Sequence, residues 1–271
     1  MKFERVERKK RIVNEDTAVT SPFGKNLPEI EVCDVPSKFI AYPKNCHIKF
    51  KPYTWGEVKK FNQSKMNVID NIKFVLDGIE CSFDKYSLTV PDFLYIGLMR
   101  KISTFGNSKF TLKHICEKCQ EIKTETFDAT LLEFQDIKAP AVPAFANFEN
   151  VQFEFMPLTI NDYIFLLEKN LVDDEIAMMA KQCRNMPFKE ACDKLYALSP
   201  DEGEYIDKID KAFFHEIKPL KFICNSVIKG TECHHENLVE VEGGDAFVYP
   251  FRGEGSGAIK SRIYYGVEIA H

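Results

Sequence analysis

Cys116 and Cys119, in the stretch His114-Ile115-Cys116-Glu117-Lys118-Cys119-Gln120, stand three positions apart among apolar and β-forming residues. On a tight turn, two cysteines at this spacing can aim both sulfurs at one ion, the geometry of a zinc knuckle. A knuckle supplies only half of a tetrahedral site. Cys224 and Cys233, which flank Asn225-Ser226-Val227-Ile228-Lys229-Gly230-Thr231-Glu232, are the candidates for the other half. Each pair follows a short apolar lead-in, His114-Ile115 or Phe222-Ile223, and each precedes alternating polar and apolar residues of the kind a returning hairpin strand carries. One reading is therefore a split zinc ribbon, in which Cys116, Cys119, Cys224 and Cys233 hold one structural zinc per chain. The second pair has eight intervening residues instead of two, and Gln120 stands where a knuckle often has glycine. His234 and His235 follow Cys233 directly, so either could replace a sulfur ligand. The other reading is free thiols in a hairpin core. Four protein ligands leave no open position for water, so such a site would clamp rather than catalyse.

Other chemistry is thinly represented. Cys183 and Cys192 repeat the eight-residue gap but fall in helical context, where cysteine serves as a small core residue; Cys33, Cys46 and Cys81 are scattered. His234-His235-Glu236 lacks the helical His-Glu-x-x-His spacing of a metalloprotease, and neither a Walker loop nor a Gly-x-Ser-x-Gly elbow is present. The acids at 201, 202, 204, 207 and 210 are interspersed with Lys208 and Lys211, as on a solvated helix face. The expectation is a protein that is not an enzyme.

With 271 residues the chain can bury a sizeable core in one large domain or two modest ones. A net charge of −5 disfavours a nucleic-acid partner, whose phosphates need a cationic surface. No apolar run is long enough to cross a bilayer, and Met1-Lys2-Phe3-Glu4-Arg5 carries charge where a signal peptide needs an apolar core. Nine cysteines without a secretory signal suit a reducing compartment. The expectation is a soluble, cytoplasmically made protein without membrane partners.

The elements that must position the cysteines can be read in order. The N-terminus carries the basic run Arg8-Lys9-Lys10-Arg11, either a solvated end or an arm that orders on a partner. Residues 16–45 contain Pro22, Pro28, Pro36 and Pro43 and no helical period, so the segment is extended and lies on its own domain or on a neighbour. A strand at 47–51 and a capping box from Thr54 to Glu57 start a helix at 55–64; further helices fall at 68–78 and 92–103, before a hairpin from 110 to 134. Residues 139–144, with Pro140 and Pro143, read as a linker. Then Phe155-Met156-Pro157-Leu158-Thr159 echoes Phe50-Lys51-Pro52-Tyr53-Thr54, with Asp162 in the place of Glu57. Pro157 follows Pro52 by 105 residues and Cys224 follows Cys116 by 108, which suggests an internal duplication. Helices are predicted at 160–170, 173–184, 188–198 and 201–217. Beyond the second hairpin come a strand at 238–241, a turn, a strand at 246–249, a loop at 252–257 and a last strand at 259–269. The fold class is α+β, with two similar strand–helices–β-hairpin halves. The division is an extended arm (1–45), a first half (46–138), a second half (139–251) and a C-terminal loop and strand (252–271).

This order of landmarks resembles a known family. Val35-Pro36-Ser37-Lys38 with Tyr42-Pro43, the Pro52–Thr54 junction, Cys116 and Cys119, the Pro157–Thr159 junction, and Cys224 with Cys233 are similar to the baseplate hub assembly proteins of contractile-tailed, T-even-type bacteriophages. The resemblance spans roughly residues 30–251, and the wide Cys224–Cys233 spacing departs from the family pattern. It implies a non-catalytic structural or assembly component of the baseplate hub, made in the host cytoplasm and, if retained, present in the virion tail. Its implied partners are other hub and tail proteins, with room for a homo-oligomer, and residues 1–45 and 252–271 would make much of the contact. The alternative from another class is a zinc-ribbon nucleic-acid-binding regulator, for which Lys109, Lys113, Lys118 and Lys123 surround the first hairpin.

Overall fold

A computed structural model describes residues 27–239, apart from 65, 107–108, 136, 140, 214–216 and 229, together with a short strand at 259–260. The architecture is mixed α+β. Alternation at Ile48-Lys49-Phe50 buries Ile48 and Phe50 from strand β2 (Ile48–Phe50), which lies between β1 (Ile30–Glu31) and β3 (Ile79–Cys81) in an antiparallel sheet. Pro52 and Thr54 turn the chain into α1 (Trp55–Gln63), where Thr54 and Glu57 form the expected capping box. Helix α2 (Val68–Leu76) buries Ile72, Phe74, Val75 and Leu76. Helix α3 (Val90–Phe105) extends past both ends of the expected 92–103. Thr89 caps it, Pro91 fits its first turn, and Gly106 ends it in the left-handed conformation at φ 65°.

Two hairpins carry the cysteines. Strands β4 (Lys109–Ile115) and β5 (Ile122–Asp128) pair over seven residues. The linker expected at 139–144 is shorter than read. Strand β6 (Ala144–Phe148) starts at its last residue and pairs with β7 (Val151–Phe155), because Ala146 and Phe153 face the same core. Helices α4 (Ile160–Lys169), α5 (Glu175–Gln182), α6 (Phe188–Tyr196) and α7 (Pro200–Phe213) follow. The last helix stops short of the expected 217, where Ile217 bridges to Phe134. Strands β8 (Leu220–Ile223) and β11 (Glu236–Val239) form the second hairpin, with β9 (Val227–Ile228) and β10 (Thr231–Glu232) between them. Strand β12 (Ile259–Lys260) adds in parallel to β4. The basic run at 8–11, the continuation of β11 through Val241, the strand at 246–249, the loop at 252–257 and the rest of the final strand lie outside the described residues.

Two apolar clusters form the core. Ile160 and Ile164 of α4 and Val239 of β11 join the first with residues of β2, α2 and α3, so that cluster draws on both sides of residue 139. The N-termini of α3 and α4 also meet: Val90 N–H donates to Leu158 O at 3.2 Å and Ile160 N–H to Leu88 O at 2.8 Å. The second cluster joins β6 and β7 to α5, α6 and α7.

Over residues 27–45 the Pro-rich segment lies on its own domain. Val35 and Ser37 are buried, and Ser37 N–H donates to Asp92 Oδ1 at 2.8 Å. The Ser37 and Tyr42 hydroxyls both donate to Asp92 Oδ2, and Tyr42 accepts from Thr89 N–H. Asp92 sits in the first turn of α3, where the helix dipole favours a carboxylate. The Val-Pro-Ser-Lys motif is thereby a latch onto a helix end.

Each strand-Pro-x-Thr junction is read by an arginine. Arg100, buried, reaches Glu57 at 3.0 Å, donates to the carbonyls of Lys51 and Val75, and lies 3.7 Å above the Tyr53 ring. Arg184 reaches Asp162 at 2.6 Å and donates to Pro157 O. A Cβ at Gly78 would fall 2.0 Å from the Arg100 guanidinium, which these partners hold in place. Gly78→Ala should therefore lower stability in urea denaturation by about 2–4 kcal/mol, by displacing a buried, paired charge.

Burial alone would raise the Glu57 and Asp162 carboxyls. Hydrogen bonds from Thr54 and from Thr159, with the two arginines, outweigh it and hold both below the usual range. A depressed folded pKa gives stability that is fully present above the unfolded value of about 4 and is lost as pH falls through the folded value. The urea midpoint should fall between pH 6 and pH 3, and Asp162→Asn should flatten that decline.

Candidate metal centre

The two hairpins bring Cys116, Cys119, Cys224 and Cys233 together, with all four sulfurs within 4.8 Å of one another. Across the hairpins Cys116 Sγ lies 3.9 Å from Cys233 Sγ, and Cys119 Sγ 3.6 Å from Cys224 Sγ. These separations are far beyond a disulfide bond of about 2.05 Å. A tetrahedral zinc with Zn–S bonds of about 2.3 Å requires sulfurs about 3.8 Å apart, and the two separations across the hairpins match that spacing.

Both pairs are folded by one backbone scheme. In the first, Cys116 N–H donates to Glu121 O at 3.0 Å and Gln120 N–H to Cys116 O at 2.8 Å. In the second, Cys224 N–H donates to His235 O at 2.8 Å and His234 N–H to Cys224 O at 3.0 Å. The residue after the second cysteine is left-handed in both, Gln120 at φ 59° and His234 at φ 48°. The eight-residue gap does not open the second knuckle, because β9 and β10 fold its middle into a small hairpin whose turn contains Gly230 at φ 81°. Two residues before each first cysteine, His114 and Phe222 stack on each other at 5.6 Å. His114 is buried, and neither ring nitrogen has a hydrogen-bond partner among the described residues.

Neither histidine next to Cys233 adds a ring nitrogen to the cysteine cluster. His234 Nε2 lies 2.6 Å from Glu232, and His235 Nε2 3.5 Å from Glu117. Cys183 is buried in the second apolar cluster and Cys192 packs against it. Sequence reasoning missed Asn237, buried on the inward face of β11. Its Oδ1 accepts from Glu117 N–H at 3.0 Å, which ties the first knuckle to the second hairpin. A polar residue at an inward position of an alternating strand was the available signal.

A scan of family models matches the T4 bacteriophage base plate protein family over residues 27–186. The chain belongs to this family. Membership implies a structural role in a phage baseplate. Searches of curated proteins and of solved structures returned no match. Among the described residues no helix is long and apolar enough to cross a membrane. In this baseplate-family chain the matched span includes the latch, both junctions and the first knuckle, and ends before Cys224.

The four thiols are not equivalent. Burial works against ionisation of Cys224, but the Ser226 hydroxyl and N–H and the Cys119 and Cys116 thiols overcome it and lower the thiol to about 6. Burial likewise opposes ionisation of Cys116 and is overcome by the N–H groups of Cys119 and Lys118. Burial raises Cys233 to about 11 despite the His235 N–H. N–H groups aimed at sulfur favour the thiolate, the form that ligates a metal. Because Gln120 is left-handed, Gln120→Val should lower thermal stability by about 1–2 kcal/mol, whereas Gln120→Gly should hold or raise it. Paired melting curves check this.

Proposed function

We propose that the chain is a non-enzymatic structural or assembly component of a contractile-tail baseplate hub, acting through protein–protein contacts and stabilised by one structural zinc on Cys116, Cys119, Cys224 and Cys233. The family match supports the baseplate role, and the observation that carries the zinc is a set of four sulfurs within 4.8 Å of one another on two matched knuckles. When bound, zinc would neutralise the thiolates and join the hairpins. The chain's own residues supply the ligands, aim N–H groups at the sulfurs and keep water out. Closing a loop of about a hundred residues in this way is worth on the order of 4–5 kcal/mol by chain entropy.

The organisation that accompanies this role is two related halves, 46–138 and 139–251, descended from a duplicated strand–helices–hairpin unit. In its favour, each half has a strand-Pro-x-Thr junction, a capping-box acid read by an arginine, and a knuckle of one hydrogen-bond scheme. Of the terminal segments 1–45 and 252–271, Ser37 and Tyr42 are tied to Asp92 and Ile259–Lys260 pairs with β4; residues 1–26 and the rest of the C-terminal segment are the ones assigned to contacts with other hub and tail proteins.

Elemental analysis of protein purified without chelator should find one zinc per chain. Cys116→Ser should lose it together with several kcal/mol of stability. Folded wild-type protein without zinc would leave the thiol-core reading in its place.

A further inference from the structure

A shallow groove of about 410 Å³ runs between β6 and the start of α7, lined by Phe145, Asn147, Phe148, Asp201, Glu202 and Tyr205. Phe145 and Tyr205 are about half exposed, at 49% and 48%, and Phe148 meets Tyr205 edge-on at 6.1 Å. The apolar walls are thus aromatic faces and edges left in water. Two carboxylates, Asp201 and Glu202, share this lining. Glu202 is engaged by Ser199 N–H and its hydroxyl, while Asp201 has no cationic partner among the described residues. These two charges exceed the opposing half charge of the helix N-terminus. Aromatic rings beside an acid without a cationic partner, Asp201, select a cation on an apolar stem, which is an arginine or lysine side chain.

The chain carries such a group in the run Arg8-Lys9-Lys10-Arg11, between Val6 and Ile12-Val13. The described chain begins at Leu27, near β1 on the sheet that closes the first apolar cluster, whereas the groove belongs to elements of the second. The sixteen residue steps from Arg11 to Leu27 can reach roughly 55 Å when extended, far enough to cross to an adjacent molecule. We propose that this groove receives the Arg8–Arg11 run of a second copy of the chain, so that copies associate by exchanging basic arms. The inference rests on the reading of residues 1–26 as contact segments and names the surface that takes them.

Complementation between full-length variants tests it by sedimentation across a concentration series at low salt. Wild-type protein should self-associate, and salt should weaken the association. Asp201→Lys with Tyr205→Ala, or reversal of residues 8–11 to glutamate, should each raise the dissociation constant about tenfold or more. An equimolar mixture of the two should form a heterodimer, since one retains the groove and the other the arm. Glu168→Lys, an exposed charge reversal on α4, should associate like wild type. Monomeric wild-type protein, whether its arm is free or folded onto its own groove, would overturn the proposal. So would association that survives both variants, or a mixture that fails to pair. None of these outcomes touches the zinc or the baseplate role, which metal analysis and family membership address separately.

Discussion

Holding four sulfurs within 4.8 Å of one another forces two hairpins, more than a hundred residues apart in sequence, to meet end to end. Much of the local geometry follows from that demand. Each knuckle must reverse the chain within a few residues while directing N–H groups at sulfur, which requires a left-handed residue after the second cysteine. Gln120 and His234 occupy that conformation although neither is glycine. Asn237, which spans the two hairpins, satisfies a knuckle amide that the turn leaves without a strand partner. Buried thiols packed without a metal would gain little from such proximity, since sulfur is a weak hydrogen-bond donor and crowded thiolates repel. The proposed shared ion would give the arrangement a physical reason.

Elsewhere in the fold the starts of α3 and α4 are brought together. Val90 pairs with Leu158 and Ile160 with Leu88. The contact would be unfavourable if it set two helix dipoles head to head without compensation. Asp92 and Asp162 supply it, each a carboxylate in the first turn of its helix. The two acids then diverge in use. Asp162 takes an arginine and a lysine, whereas Asp92 accepts the Ser37 and Tyr42 hydroxyls and so fixes the N-terminal segment. One electrostatic need is met with two different partners, and one solution yields the motif seen near residue 36.

What could be read in advance follows from how local each signal is. Thr54 with Glu57 and Thr159 with Asp162 are contacts within one turn, so the capping boxes and helix starts were legible. The meeting of the four cysteines was legible because Cys116 and Cys119 share one turn and Cys224 and Cys233 follow matching apolar lead-ins. Strand β6 was hidden by Pro140 and Pro143, which lie just outside it; only its pairing with β7 makes Ala144–Phe148 a strand. The place of Arg100 could not be read either. An arginine on an apolar helix face looks like a solvated side chain until Glu57, Tyr53 and two carbonyls are found around it. Closure of the eight-residue gap was hidden for a similar reason, since β9 and β10 are two residues each and carry almost no period.

The limits of the family match bear on the metal centre. The matched span, residues 27–186, holds Cys116 and Cys119 but stops well before Cys224 and Cys233. A knuckle with two sulfurs is an incomplete ligand set, and a lone pair of buried thiols has no reason to keep N–H groups trained on sulfur. The second hairpin repeats the first in its hydrogen bonds, in its left-handed residue and in the ring two places before its first cysteine, while differing in loop length and in almost every side chain. Backbone geometry kept alike where side chains differ is what the proposed shared ion would favour, because an ion would constrain where sulfurs and N–H groups sit and leave the intervening loop free. The two cysteines beyond the matched span thus belong to the same structural unit as the two within it.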